Sequence, residues 1–421
     1  MFQRRWLAAA FSIFILTGSA CADEATASKA IEEVHGRITR DDKQPGKPVI
    51  VVDLSDPREF RVAVLVKDAA LKHLREFKTL RTVNLSGTLI TDAGMKELKD
   101  LATLESLDLS RTKLTDVGIT DLVGLPSLRE LNLAYVKATD KSLGELKKLD
   151  ELRSIDLGHS KITDAGLNEL KHFPKLQVVN LAYTKVTDTG LRELKAIDGL
   201  REVYLWGTEL TTLAPAHLKG IKSLQKLGID GEILNESGFW ELSQLRQLTS
   251  LSIWSTVSDS VFNNVKQLEG LRSLTLSNPA ITDAGLAGVG ELKHLEELHI
   301  GGATEITDAG MKSLKRVKSL QKLSLQGVPL TDEGLNALTE LGNLRKLNLR
   351  NTQVTDEGLK NIARLRALQD LHLCGTKISD VGLAELKKLK ALRFLCLKNT
   401  KVTEAGIERL KHDRPDLEVS W

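Results

Sequence analysis

The stretch Leu104–Ser127, "LESLDLSRTKLTDVGITDLVGLPS", decides how the rest of the chain is read. Leu107 and Leu109 alternate with polar residues, the pattern of a short strand with one buried face. In the sister segment Thr163–Phe173, "TDAGLNELKHF", Leu167 and Leu170 stand three apart, which is helical spacing. The Thr-Asp-x-Gly element that opens the helical half recurs at Thr91, Thr115, Thr163, Thr187, Thr282, Thr307, Thr331 and Thr355. Looser copies stand at Thr139, Thr211, Asn235, Ser258, Ser379 and Thr403. The step is 24 residues almost throughout, with a short one from Asn235 to Ser258 and a long one from Thr282 to Thr307. A strand and a helix this short cannot bury their apolar faces alone. Stacked copies can, as a solenoid with strands along one side and helices along the other.

On these repeats the chain resembles leucine-rich repeat proteins from about Pro48 to its end. Its TDxGL segment is most similar to repeats of F-box-associated and bacterial exported members of that family. Those often carry Cys after the strand, where this chain has Thr88, Thr112, Thr184, Thr208, Thr352, Thr376 and Thr400. The resemblance implies an α/β leucine-rich repeat solenoid (horseshoe), with a parallel sheet on the concave face and short helices on the convex face. The expected organisation is a signal peptide over 1–22, a leader or N-terminal cap over 23–47, and about 14–15 repeats over 48–421. "PVIVVDLS" (Pro48–Ser55) is expected as the first strand, with Val52 and Leu54 inward, followed by an insertion, "DPREFRVAVL". The closing "DLEVSW" is expected to turn Val419 and Trp421 inward on a partial capping strand. No F-box-sized segment fits in the leader, which argues against a ubiquitin-ligase adapter.

An apolar content of 41% supports an extensive core, and the formal charge of +3, two units of it from Arg4 and Arg5, does not point to nucleic acid. Arg4 and Arg5 precede the apolar run Trp6–Leu16, which is shorter than the ~20 residues of a membrane-spanning helix. Ala20-Cys21-Ala22 supplies an A-x-A cleavage site. The expectation is an exported bacterial protein of the periplasm, cell envelope or extracellular space. Lipidation at Cys21 is the rival, weakened by Gly18 at the position where such proteins carry a Leu-like residue. Only Cys374 and Cys396 remain after cleavage. On a regular sheet their diagonal Cα separation would be about 8 Å, so free thiols are expected, with no metal site and no cofactor.

Asp188-Thr189-Gly190 invites comparison with aspartic proteases, whose paired Asp-Thr-Gly supplies the catalytic carboxylates. Here Asp188 is one of a row with Asp92, Asp116, Asp140 and Asp164, each where a loop enters a helix, so a capping role is expected. A second carboxylate at sharing distance is missing from the pattern, and no catalytic residue is assigned. Function is expected on the polar strand face. All three tyrosines, Tyr135, Tyr183 and Tyr204, fall there, as do Trp206 and Trp254, and His159 completes a Tyr-His-Tyr stripe. Rigidly held aromatics are the usual anchors of binding surfaces. These six are the candidate ligand-binding residues of a monomeric, non-enzymatic scaffold for a protein or peptide. Carbohydrate or cell-wall binding through the same rings is the alternative. A row of Asp108, Asn132, Asp156 and Asn180 reads as a hydrogen-bonding ladder. Acidic positions (Asp108, Glu130, Asp156, Glu202) precede basic ones (Lys322, Lys346, Arg350, Lys398), which suggests a bipolar face.

Overall fold

A computed structural model describes residues 23–55 and 66–421, apart from the side chains of residues 263 and 264. The signal-peptide segment 1–22, with Arg4, Arg5 and Cys21, and the insertion 56–65 lie outside the described residues. The described chain divides into two compact units. One runs to Val203 and includes Gly207–Glu209; the other comprises Tyr204–Trp206 and the chain from Leu210 on.

The first unit begins with a helix over 23–33 and the strand Arg37–Arg40, antiparallel to Val49–Asp53. Arg40 bonds Glu24 and Ser28, tying the strand to the helix. Parallel rungs follow in sequence order: Thr82–Asn84, Ser106–Asp108, Glu130–Asn132, Ser154–Asp156 and Val178–Asn180. Each strand is three residues long, with its central residue facing inward. Val83, Leu107, Leu131, Ile155 and Val179 pair in register and are buried. Val52 and Leu54 are buried in the same way at the start of the series. Each such side chain contributes about 2 kcal/mol of apolar burial.

The second unit repeats the scheme from Lys226–Asp230 to Glu418–Ser420, all strands parallel and in sequence order. Its final rung corrects one expectation. Val419 pairs with Leu395 and is half-buried, but Trp421 is 50% exposed, because it lies beyond the strand Glu418–Ser420. The buried closing residues are Leu417 and Arg414, whose guanidinium donates to the carbonyls of Leu389 and Leu392 and to the Asp416 carboxylate. Those bonds hold the Asp416 carboxyl down at about 2.

The Thr-Asp-x-Gly elements lock rung to rung. The Thr of most copies, and Ser379, cap their own helices, as when Thr115 Oγ1 accepts from Val117 N at 3.3 Å, whereas Ser258 makes no such bond. The following Asp turns away from that helix. Asp92 accepts from Thr115 N at 2.8 Å and from Thr115 Oγ1 at 2.6 Å, reaching the cap of the next rung. Asp116, Asp140 and Asp164 do the same to Thr139, Thr163 and Thr187, and the pattern returns from Asp259 to Thr282 and from Asp380 to Thr403. The Gly is needed because that carboxylate lies against it: a Cβ on Gly118 would stand 2.6 Å from Asp92 Oδ1. Three conserved-looking letters thus serve two neighbouring rungs. In the intervening turns Thr212 and Glu236 stand where the aspartates would.

The row of Thr after the strand also has a structural use. Thr88, Thr112, Thr184, Thr352 and Thr376 are buried, and each hydroxyl donates to the carbonyl three residues back.

Candidate functional site

In the first unit, the strand ends on the Asp/Asn ladder. Asn132 Nδ2 donates to Asp108 at 3.0 Å and Asn180 Nδ2 to Asp156 at 2.9 Å. Each Asp or Asn also accepts, through Oδ1, the amide two residues on, as in Ala134 N to Asn132 Oδ1 at 3.0 Å. This tight turn brings the next residue into the left-handed region of backbone space. Arg111 (φ 57), Tyr135 (φ 60), His159 (φ 55) and Tyr183 (φ 56) all sit there, one per rung. The rings therefore stand beyond the strand ends, not on the strands as the alternation suggested. Their backbone is held by ladder bonds, Tyr135 N to Gly158 O and His159 N to Ala182 O, both 2.8 Å.

The four side chains form one column. The Arg111 guanidinium lies 4.6 Å from the centre of the Tyr135 ring. Tyr135 stacks on His159 with centroids 3.9 Å apart and planes at 14°, and His159 on Tyr183 at 4.2 Å and 16°. The column ends at Gly207 (φ 64), where any Cβ would strike the Tyr183 ring. Both faces of His159 are thus covered by rings, the outer side of Tyr135 faces Arg111, and the outer side of Tyr183 lies against Gly207. Tyr135 and Tyr183 are 46% and 48% exposed. Desolvation between the rings, and then the Arg111 charge, hold His159 below the ordinary imidazole value, with Asp156 opposing them.

The remaining candidates belong to the second unit and form a cluster of their own. Tyr204 lies 5.3 Å from Trp206, and Trp206 5.4 Å from Trp254. Gly228 makes room for this cluster: a Cβ there would lie 2.7 Å from Trp206 Cε2 and 2.8 Å from Tyr204 Cδ1. Trp254 is 43% exposed, while the Trp206 indole N–H is buried without a partner.

Two of the four later basic positions of the expected bipolar face are neutralised. Lys322 pairs with Glu297 and Lys346 with Asp370. Arg350 turns to His372 Nδ1 at 3.3 Å and to Cys396 Sγ at 3.8 Å. Sequence reasoning missed a different basic row. Two residues after each member of the column stand Lys113, Lys137, Lys161 and Lys185, all exposed. The signal was available as Thr/Val/Ser-Lys before each Thr-Asp, but the columns considered were those of the strand.

Cys374 and Cys396 are joined by a disulfide, with Cα atoms 5.7 Å apart, which corrects the expectation of free thiols. The strand Asp370–His372 has ended before Cys374, and the ladder bond from Leu373 N to Cys396 O draws the turning chain across to the next rung. The diagonal distance of a flat sheet does not apply there. Cys396 is itself buried. Asp188 opens the helix Asp188–Leu191, whose cap is Thr187. Among the described residues no group of three His, Cys, Asp or Glu could hold a metal ion, and no helix is long and apolar enough to cross a membrane.

Comparison with known proteins agrees with this architecture. Leucine-rich repeat family profiles match residues 78–135, and again 152–170, 173–195, 291–315 and 343–363. No curated protein matches the sequence. Similar solved structures include a leucine-rich repeat protein of Leptospira interrogans, 20% identical, with a TM-score of 0.47, covering 83% of this chain and 92% of that one. An internalin of Listeria monocytogenes is 19% identical (TM-score 0.39), covering 95% of this chain and 94% of its own. A plant peptide hormone receptor, RGFR1, in complex with RGF2, is 18% identical (TM-score 0.36), covering 82% and 66%. Repeats, rungs and family matches together make the chain a leucine-rich repeat protein.

Proposed function

We propose that this is an exported, non-enzymatic recognition scaffold that binds a protein or peptide through the solvent face of its sheet. The observation that carries the reading is the column Arg111–Tyr135–His159–Tyr183, held at positive φ in four successive rungs. Left-handed backbone costs a side-chain-bearing residue roughly 1–2 kcal/mol. Equivalent turns use Gly87, Gly327, Gly375, Asn351 and Asn399, residues that adopt it readily. Strain of this kind persists where it serves a site. Trp254, with Tyr204 and Trp206, is a second contact element within its own unit. Export rests on the apolar run and cleavage site of residues 1–22.

Sugar stacking needs an open ring face, and in the first column most faces are taken up by His159 and by Arg111. That favours a protein partner over the carbohydrate reading. The test is affinity capture from cell-envelope extract with the wild type and with Tyr135→Ala/Tyr183→Ala. Truncating two anchors should lower recovery of a specific protein by about 30-fold in affinity. Equal recovery would remove the column from the site, and co-sedimentation with peptidoglycan that depends on these tyrosines would favour the carbohydrate reading instead.

A further inference from the structure

The lysine row and the aromatic column occupy the same four rungs. The column is Arg111, Tyr135, His159 and Tyr183, bounded by Gly87 before and Gly207 after. The row is Lys113, Lys137, Lys161 and Lys185, bounded by Leu89 before and Glu209 after. Elsewhere Lys recurs at this position only as Lys377 and Lys401, beside Gly375 and Asn399 and so without a ring. The lysine backbones are fixed at the same place in each rung, by bonds such as Lys137 N to Leu114 O and by bridges pairing Thr115 with Lys137 and Thr139 with Lys161. Among the described residues none of the four ammonium groups makes an ion pair or a hydrogen bond, whereas Lys322 and Lys346 on the second unit's sheet are both paired.

The charged groups this strip turns to solvent are all positive: Lys113, Lys137, Lys161, Lys185 and Arg111. Both faces of His159 and the facing sides of Tyr135 and Tyr183 are taken up by stacking, and the edge of an aromatic ring is the positive part of its quadrupole. Tyrosine hydroxyls donate, and Arg111 and four ammonium groups carry full charge. Acids that flank the strip are engaged within the protein: Asp108 and Asp156 accept from Asn132, Asn180 and the backbone amides of the turns, and Asp116, Asp140 and Asp164 accept from the Thr of the next rung. We propose that this four-rung strip is the docking site for an acidic segment of the protein partner, its carboxylates set between the lysine row and the edges of the Tyr-His-Tyr column. This rests on the protein-binding reading above and adds the partner's chemistry. Three steps of about 4.8 Å give a strip roughly 14 Å long, the reach of two to three helical turns or a short loop. A long polyanion continuing along the rungs would meet Glu209, so a bounded acidic segment fits better than an acidic polymer.

The experiment selects a random dodecapeptide library on the immobilised full chain and measures the affinity of recovered peptides by fluorescence anisotropy. Recovered peptides should be rich in Asp and Glu and lose affinity as salt rises. Lys113→Gln/Lys137→Gln/Lys161→Gln/Lys185→Gln should weaken them at least about tenfold, because complementary charge is what the row supplies. The corresponding quadruple Lys→Arg variant should retain them. Circular dichroism melts establish that both variants fold. Peptides without acidic enrichment that still need Tyr135 and Tyr183 would overturn the acidic segment while leaving the scaffold reading standing. Failure to recover any peptide dependent on the column or the row would overturn both. Lysine-dependent binding of polygalacturonate in preference to the peptides would replace the protein partner with an acidic polysaccharide.

Discussion

Tyr183 is a large side chain in a place the backbone reserves for small ones. Its φ of 56° is within reach of Asn but not of a β-branched residue. Tyr183→Asn, which gains local ease while losing one stacked pair, is therefore expected to shift stability by less than about 1 kcal/mol. Tyr183→Val is expected to lower it by about 2 kcal/mol or more, since Val adds strain and loses the stack. Urea unfolding of the two variants decides this, and equal losses would mean the backbone is not under strain. His159 adds a pH dependence. Burial between the rings and Arg111 lower its affinity for protons below the ordinary value of 6.5, against the pull of Asp156. The unfolded chain then takes up a proton first, so stability falls as pH drops below 6.5 toward the folded value. His299 and His372 are lowered too and act with the same sign. The slope between pH 7 and about 5 should be shallower in His159→Asn than in the wild type. That these rings would neighbour one another was legible in their 24-residue spacing. Their strain was not, because a column of Gly and Asn at sister positions reveals it only once a turn is placed there.

The helix start is where one rung is fastened to the next. Asp92→Ala leaves Thr115 without acceptors for both its amide and its hydroxyl. The expected loss is about 2–3 kcal/mol, more than the ~1 kcal/mol of a simple cap. Gly118→Ala is expected to be comparably harmful, since the methyl group would meet Asp92 from the preceding rung. Chemical denaturation measures both, and a loss of only the capping size for Asp92→Ala would sink the inter-rung role. The sequence pattern showed that Thr and Asp gather at helix starts. It could not show that Asp serves its neighbour, because a bond across 23 residues looks the same as one within a motif that repeats every 24. The disulfide was hidden for a related reason, lying where the strand has already turned. Cys374→Ala should cost about 3 kcal/mol, the chain-entropy value for closing a loop of some twenty residues. Thiol titration of the unreduced wild type should find neither Cys374 nor Cys396 reactive.

Across the molecule, the apolar alternation, the helix spacing and the repeat step together made the solenoid legible, because each rung touches only its neighbours and each obeys the same pattern. Part of what escaped depends on two rungs at once: the Asp–Thr fastening and the pairing of Lys322 and Lys346. The Asp/Asn ladder, which was legible, constrains which rungs can be removed. Along the first unit the ladder alternates, Asp108, Asn132, Asp156, Asn180, with each amide donating to the carboxylate of the rung before it. The side chains before the turn follow the same beat, Ala134-Tyr135 and Ala182-Tyr183 enclosing Gly158-His159. Removing residues 116–139 would set Asp108 against Asp156, two acceptors with no donor between them. Removing residues 116–163 would set Asp108 against Asn180 and bring Arg111 onto Tyr183. The second deletion, though twice as large, should leave the better-folded protein, as judged by the sharpness of its thermal transition. Along this part of the chain the structurally tolerated unit of insertion or loss is then two rungs, not one.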